Sequence, residues 1–410
     1  MSGGDSAPGG APRLYQQFFR CYLERMDTAA LLRELTEARG PSGYEAEVRE
    51  IVRKSFAPHA HEVRVDSLGN LIALRRANAP GEAPGAGEAA GTRPSIMLAG
   101  HMDEIALMVT GTEKGFLRVT QIGGFDPRVL FGQQVVVHGR RELPGTVVSV
   151  PPHFTDPSER EKPVPLEKLF VDVGLPPAEA EEAVRVGDVV TLAARWTPLA
   201  GGYAACKSMD DRAAVAAIAL CLEELSRRRH EWDVFAVATV QEEVIGGGAP
   251  TGAFGIQPTL AIAIDVTFAA QPGLSPAESV RMDTGPTISL GPNFHPAVFD
   301  RLMAAARALE MPCQVEPIPG SSGTDAWGIQ VSRAGIPCGL LGIPVRFMHT
   351  PVETVCLRDV ERTAKLLAEF ICRLEPGFAG ELVVADAFAA DAAPAEPAAQ
   401  APPGAPSRGA

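Results

Sequence analysis

Five short clusters in this chain carry side chains that bind metals or move protons: His101-Met102-Asp103-Glu104, Asp210-Asp211, Gln241-Glu242-Glu243, Asp265 and His349. Taken singly, each has an ordinary explanation. A buried histidine is usually a hydrogen-bonded core residue, and adjacent glutamates usually face water. An aspartate just ahead of a helix usually caps it. Their shared position changes that reading. "SIMLAG" runs into His101, "VFAVATV" into Glu242 and Glu243, "LAIAI" into Asp265, and "LLGIPVRFM" into His349. Asp210-Asp211 stands immediately before "RAAVAAIALCLEEL". Apolar strands that deliver two imidazoles and at least three carboxylates create costly buried charge unless a metal compensates it.

The donor types narrow the chemistry. In His101-x-Asp103, one ring nitrogen can bind a metal while Asp103 accepts from the other and fixes the tautomer. Two imidazoles with several carboxylates suit zinc, cobalt or manganese better than copper or an iron–sulfur cluster. One bridging carboxylate, with a histidine and an acid per metal, makes a two-metal hydrolytic centre with ions roughly 3.5–4 Å apart.

The apolar runs read as fully buried strands, and helical patterns such as "TAALLRELTEARG", "YEAEVREIVRKSF" and "HPAVFDRLMAAARALE" alternate with them. That alternation predicts an α/β domain with a mostly parallel central sheet, whose ligands gather beyond the carboxyl ends of the strands. From Gly115 to Tyr203 the runs are short, strand-like and split by Gly and Pro, which predicts an inserted β-rich module. The division is a catalytic domain over 13–114 and 204–376 and an inserted domain over 115–203. Residues 1–12 and the Ala/Pro-rich tail 385–410 are expected to be disordered, and Ala77–Pro94 to form a mobile surface loop.

A formal net charge of −13 argues against a nucleic-acid backbone or an anionic membrane as the main partner. No run approaches the roughly 18 apolar residues of a membrane span, and the N-terminal segment lacks an apolar signal core. Seven scattered cysteines without a Cys-x-x-Cys pair fit reduced thiols. A cytoplasmic location is expected.

From Leu31 to Leu374 the chain resembles the tetrahedral (TET) aminopeptidases, dinuclear metallo-exopeptidases that include glutamyl and deblocking aminopeptidases. The resemblance rests on the order and spacing of "DSLGNLIA", "AGHMDEIALMV", "KSMDDR", "QEEV", "AIDVT" and "GTDAWGIQVSRAGIPCGLLGIPVRFMHTPVE". It implies a zinc-exopeptidase-like three-layer fold and a barrel-like inserted domain that builds dimers, which assemble into a dodecamer. It implies two divalent ions per subunit, zinc first, with cobalt or manganese as alternatives. His101 and Asp265 would hold one ion, Glu243 and His349 the other, and Asp210 would bridge. Glu242 would be the general base and Asp103 the partner of His101, with a cis peptide between Asp210 and Asp211. The expected substrates are peptides with a free N-terminus.

The chain departs from the family's common "EEVGLRGA" with Gly246-Gly247-Gly248 after Glu243-Val244-Ile245. Thr324-Asp325 is expected either to line the pocket or to cap the following helix. His59, His61, His138, His153 and His230 are expected to lie outside the site. The alternatives are a metal-dependent deacylase or amide hydrolase on small substrates, and an endoglucanase. A scaffold that keeps only the assembly is a third.

Overall fold

Ser95–His101 is buried at every position, because helices cover both faces of the sheet in which it lies. Ile96 and Leu98 face a core shared with the helices Thr28–Glu37, Ala46–Phe56, Met209–Leu225 and Leu357–Cys372. Met97 and Ala99 face the opposite layer, where Ala249, Ala253 and Ile329 pack. The strand's period of two thus feeds two cores, and the architecture has three layers. This computed structural model describes residues 25–78, 93–158 and 160–382. The segments 1–12 and 385–410, most of Ala77–Pro94, and Cys21 lie outside the described residues.

The centre of the sheet is parallel, as expected. Its four strands run side by side in the order Asp233–Thr239, Ser95–His101, Leu260–Phe268, Cys338–Arg346. Antiparallel strands extend both flanks, Leu71–Arg75 and Glu62–Val65 on one side, Glu353–Cys356 and Tyr203–Cys206 on the other. The complete sheet is therefore mixed. Among the four parallel strands, the one that follows Ser95–His101 in the chain is added on one side of it and the next on the other. This reversal opens a crevice at the carboxyl ends, where ligands of such sheets bind.

The second unit is a closed barrel of six strands, in the order Ala106–Glu113, Phe116–Ile122, Leu169–Asp172, Glu142–Ser149, Gln134–His138, Val189–Leu192. Leu107, Val109, Leu117, Val135, Val137, Val147 and Val171 alternate into its own core. The first barrel strand begins nine residues ahead of Gly115, and Thr197–Leu199 already belongs to the main sheet. Ala106–Glu113 follows His101 without a Gly or Pro break, so no punctuation marks where the chain leaves one unit for the other. No helix among the described residues is long and apolar enough to cross a membrane.

The helix Met209–Leu225 is almost wholly buried and rich in alanine, which lets it approach the sheet closely. A β-carbon placed on Gly100 would lie 3.0 Å from Ala214 Cβ. That close approach brings Asp210 and Asp211 over the end of the strand that carries His101.

Candidate metal centre

Thr239 is level with His101 across the parallel pair, and Gly342 is level with Asp265. The side chains of His101 and Asp265 stand on the same sheet face by strand parity. Asp210 reaches them from the start of its helix, where it adopts non-helical dihedrals (φ −73°, ψ 106°). The bond between Asp210 and Asp211 is cis. Ser208, Gln241 and His349 all lie in the left-handed region, at φ 59°, 60° and 60°. Non-glycine residues rarely adopt this conformation, and it clusters at functional sites.

Asp210 is the hub. Its Oδ1 lies 3.0 Å from His101 Nε2 and its Oδ2 lies 3.1 Å from His349 Nε2. Glu243 Oε2 is 3.4 Å from the same His349 nitrogen. Two groups of ligand atoms result, His101–Asp210–Asp265 and Asp210–Glu243–His349, with all atoms in each within 4.8 Å of one another. They share Asp210.

Gln241 does not continue the strand. It turns the chain into a single helical turn, Glu242–Ile245. Successive residues of a helix diverge by about 100°, so Glu243 faces His349 while Glu242 Oε2 lies 3.9 Å from His101 Nε2. Asp103 anchors that turn. It accepts the backbone N–H of Glu242 at 3.1 Å and of Glu243 at 3.2 Å, as well as the Ser42 hydroxyl. Its Oδ1 is also 3.4 Å from His101 Nδ1. The glycines after the turn have defined uses. Gly246 closes it at φ 59°, and a β-carbon on Gly248 would lie 2.3 Å from the carbonyl oxygen of Val240.

Burial dominates the electrostatics. It pushes Glu242 up to about 7, against the pull of His101, and raises Glu243 and Asp265 well above the carboxylate range. Burial opposes charge on His349 as well, but Asp210 and Glu243 override it and bring the imidazole to about 9. Asp210 is held below its usual range, despite burial, by hydrogen bonds from both histidines. Asp211 Oδ1 is buried without a hydrogen-bond partner, and His101 Nδ1 is buried with only the 3.4 Å approach of Asp103 Oδ1. Crowded carboxylates pushed toward their neutral form, with two imidazoles among them, fit a divalent cation that would stabilise their charged form.

One supporting residue, Glu353, carried no sequence signal of its own. Glu353 accepts the N–H of Asp210 and of His349. Asp325 is buried and accepts the Thr239 hydroxyl. Thr324 does both things expected of its segment: it lines the cavity and caps the helix Asp325–Gln330. His138 bonds Thr191 on the barrel and His230 bonds the Trp232 carbonyl, so neither joins the site. His101, Asp210, Glu242, Glu243, Asp265 and His349 line one cavity of about 330 Å³. A larger cavity of about 560 Å³ on the barrel, beside Phe154 and Lys162, contains none of them.

The model of the M42 glutamyl aminopeptidase family matches residues 85–366, more than half of the chain. The lysyl aminopeptidase of Pyrococcus furiosus is 35% identical over 352 residues, covering 84% of this chain and 97% of its own. The TET aminopeptidase of the marine sediment archaeon Thaumarchaeota archaeon SCGC AB-539-E09 superposes with a TM-score of 0.80 at 32% identity, over 87% of this chain and 98% of that one. The TET1 peptidase of Pyrococcus horikoshii, described as assembling into a tetrahedron or a large octahedral shell, gives 0.73 at 28% identity, over 85% and 100%. On this family match and these relatives, the chain belongs to the M42 glutamyl aminopeptidase family and is a peptide hydrolase of the aminopeptidase class.

Proposed function

We propose that the chain is a dinuclear-metal aminopeptidase that removes N-terminal residues from peptides, with Glu242 as its general base. The observation that carries this reading is Asp210, whose two oxygens face the two histidines at 3.0 and 3.1 Å. His101 and Asp265 would hold one ion, Glu243 and His349 the other, and Asp210 would join them. The oxygen-and-imidazole donor set favours zinc, with cobalt or manganese as alternatives. When bound, such a pair supplies Lewis acidity that polarises a peptide carbonyl and acidifies a water.

The chain's own residues supply the rest. Glu242 takes a proton from the attacking water and returns it to the leaving amine, a transfer served best by a group that titrates near neutrality. Asp103 orients His101 and fixes the turn that carries Glu242 and Glu243. A free α-amine seated beside the centre accounts for removal of single N-terminal residues. The TET neighbours, described as a dodecamer and as a tetrahedron or large octahedral shell, support a homo-oligomer; the barrel would build its dimers, and these would gather into a dodecamer. Free cysteines at six described positions are consistent with a cytoplasmic location.

An endoglucanase would place two acids across a glycosidic bond, roughly 5–9.5 Å apart. Here Glu243 is spent on His349, and the imidazoles would have no purpose. An aminoacyl-anilide panel tests the reading against a deacylase. Hydrolysis should disappear on chelation, return with zinc, cobalt or manganese, and fail for N-acetylated anilides. Activity indifferent to chelation would refute the mechanism.

A further inference from the structure

The cavity contains one carboxylate that the mechanism leaves unused. Glu316, on the edge strand Gln314–Pro317, lines the same space as His101 and His349. Its two oxygens accept the hydroxyls of Thr267 and Thr287, each at 2.6 Å. Among the described residues, no lysine, arginine or histidine forms an ion pair with it. Two hydroxyl donors orient a carboxylate without neutralising it, and each oxygen keeps capacity for another donor.

The position follows from the sheet. Thr267 lies two residues beyond Asp265 on one strand, so both side chains stand on one face, about 6.6 Å apart along it. Gly342, opposite Asp265 and Thr287, leaves the room this arrangement needs. A β-carbon there would lie 2.4 Å from Thr287 Oγ1 and 2.9 Å from Thr267 Cγ2. Phe268, Ile318 and Met348 add apolar wall. An apolar wall close to a fixed, unpaired anion suits a side chain with an aliphatic stem and a cationic head.

We propose that Glu316 marks the subsite for the side chain of the substrate's N-terminal residue and makes the protein prefer lysine and arginine there. The proposal rests on the aminopeptidase reading above. A glutamyl side chain in the same place would meet an uncompensated carboxylate, and a norleucyl chain would leave Glu316 desolvated without a partner.

The test compares lysyl, arginyl, norleucyl and glutamyl anilides on the metal-loaded protein and on Glu316→Gln and Glu316→Lys. Calorimetric binding of L-lysinamide and L-norleucinamide is measured on the same preparations. The expected result is that wild type favours lysyl and arginyl over norleucyl by roughly tenfold or more in kcat/KM. Glu316→Gln lowers the lysyl and arginyl rates far more than the norleucyl rate and so removes that preference, and Glu316→Lys turns the order toward glutamyl. If Glu316→Gln does not fold, the wild-type comparison of lysyl with norleucyl decides alone. Should no anilide be hydrolysed while lysinamide still binds far better than norleucinamide in a Glu316-dependent way, the subsite stands and the aminopeptidase reading falls. Equal binding of the two amides by wild type would overturn the subsite. So would a uniform loss across all substrates in Glu316→Gln, the result expected if Glu316 held the α-amine.

Discussion

Glu353 is tied to the backbone of Asp210. Its Oε2 accepts the Asp210 N–H at 3.0 Å, while its Oε1 accepts the N–H of His349 at 2.7 Å. Burial, reinforced by the charge of Asp210, pushes its carboxyl up to about 8. One side chain thus sets two backbone positions whose side chains converge 3.1 Å apart. Glu353→Ala should weaken metal binding about 10- to 100-fold, the usual loss when an outer hydrogen-bond partner is removed. Competition against a chromophoric chelator measures this, and an unchanged affinity would show that Glu353 only fills space.

Asp103 plays the matching part for the other glutamates. Its carboxylate collects the N–H groups that open the turn Glu242–Ile245. Asp103→Ala should cost about 1 kcal/mol as a lost helix cap. It should also lower kcat more than it raises KM, because Glu242 and His101 lose their orientation together. Steady-state kinetics beside a denaturant melt separates the two effects. A stability loss with full kcat would confine Asp103 to a structural role.

Glu242→Gln should lower kcat about 10²- to 10⁴-fold, the range for losing a general base, and leave the bound metal in place. Metal analysis of the purified variant supplies the check. Loss of an ion in that variant would make Glu242 a ligand.

Beneath the centre, Glu104 is buried against Lys207 and Arg212 and also accepts from Ser208 and the Gly40 N–H. Burial opposes its charge, but the two cations and these donors hold the carboxyl at about 2. A depressed folded pKa contributes stability that is present above the unfolded value of about 4.5 and is lost as pH falls toward 2. That shift is worth on the order of 3 kcal/mol. Unfolding midpoints of the metal-free protein should therefore drop between pH 5 and pH 2.5, and Glu104→Gln should flatten that drop. A variant with the wild-type pH slope would remove Glu104 from the account.

The residues that meet at Asp210 could be read from the sequence because each follows an apolar run too hydrophobic to be a surface strand. Polar side chains there arrive at the carboxyl end of a buried sheet, where charge needs a reason. Glu353 gave no such sign, since its work is done on backbone N–H groups that no residue pattern encodes. Glu316 sits in "QVEP", an edge strand that looks ordinary until Thr267 and Thr287 arrive from distant segments. The barrel's first strand, Ala106–Glu113, was concealed by the absence of any break after His101. The Gly246–Gly248 run became interpretable only once Gly248 was seen against the Val240 carbonyl.

The most direct test is to titrate zinc into the chelated protein and follow metal bound per chain together with hydrolysis of an unblocked anilide. Two ligand groups sharing Asp210 predict two ions per chain, with full activity only as the second site fills and neither site intact in Asp210→Ala. Full activity with one ion per chain, or with none, would contradict a dinuclear centre built on Asp210.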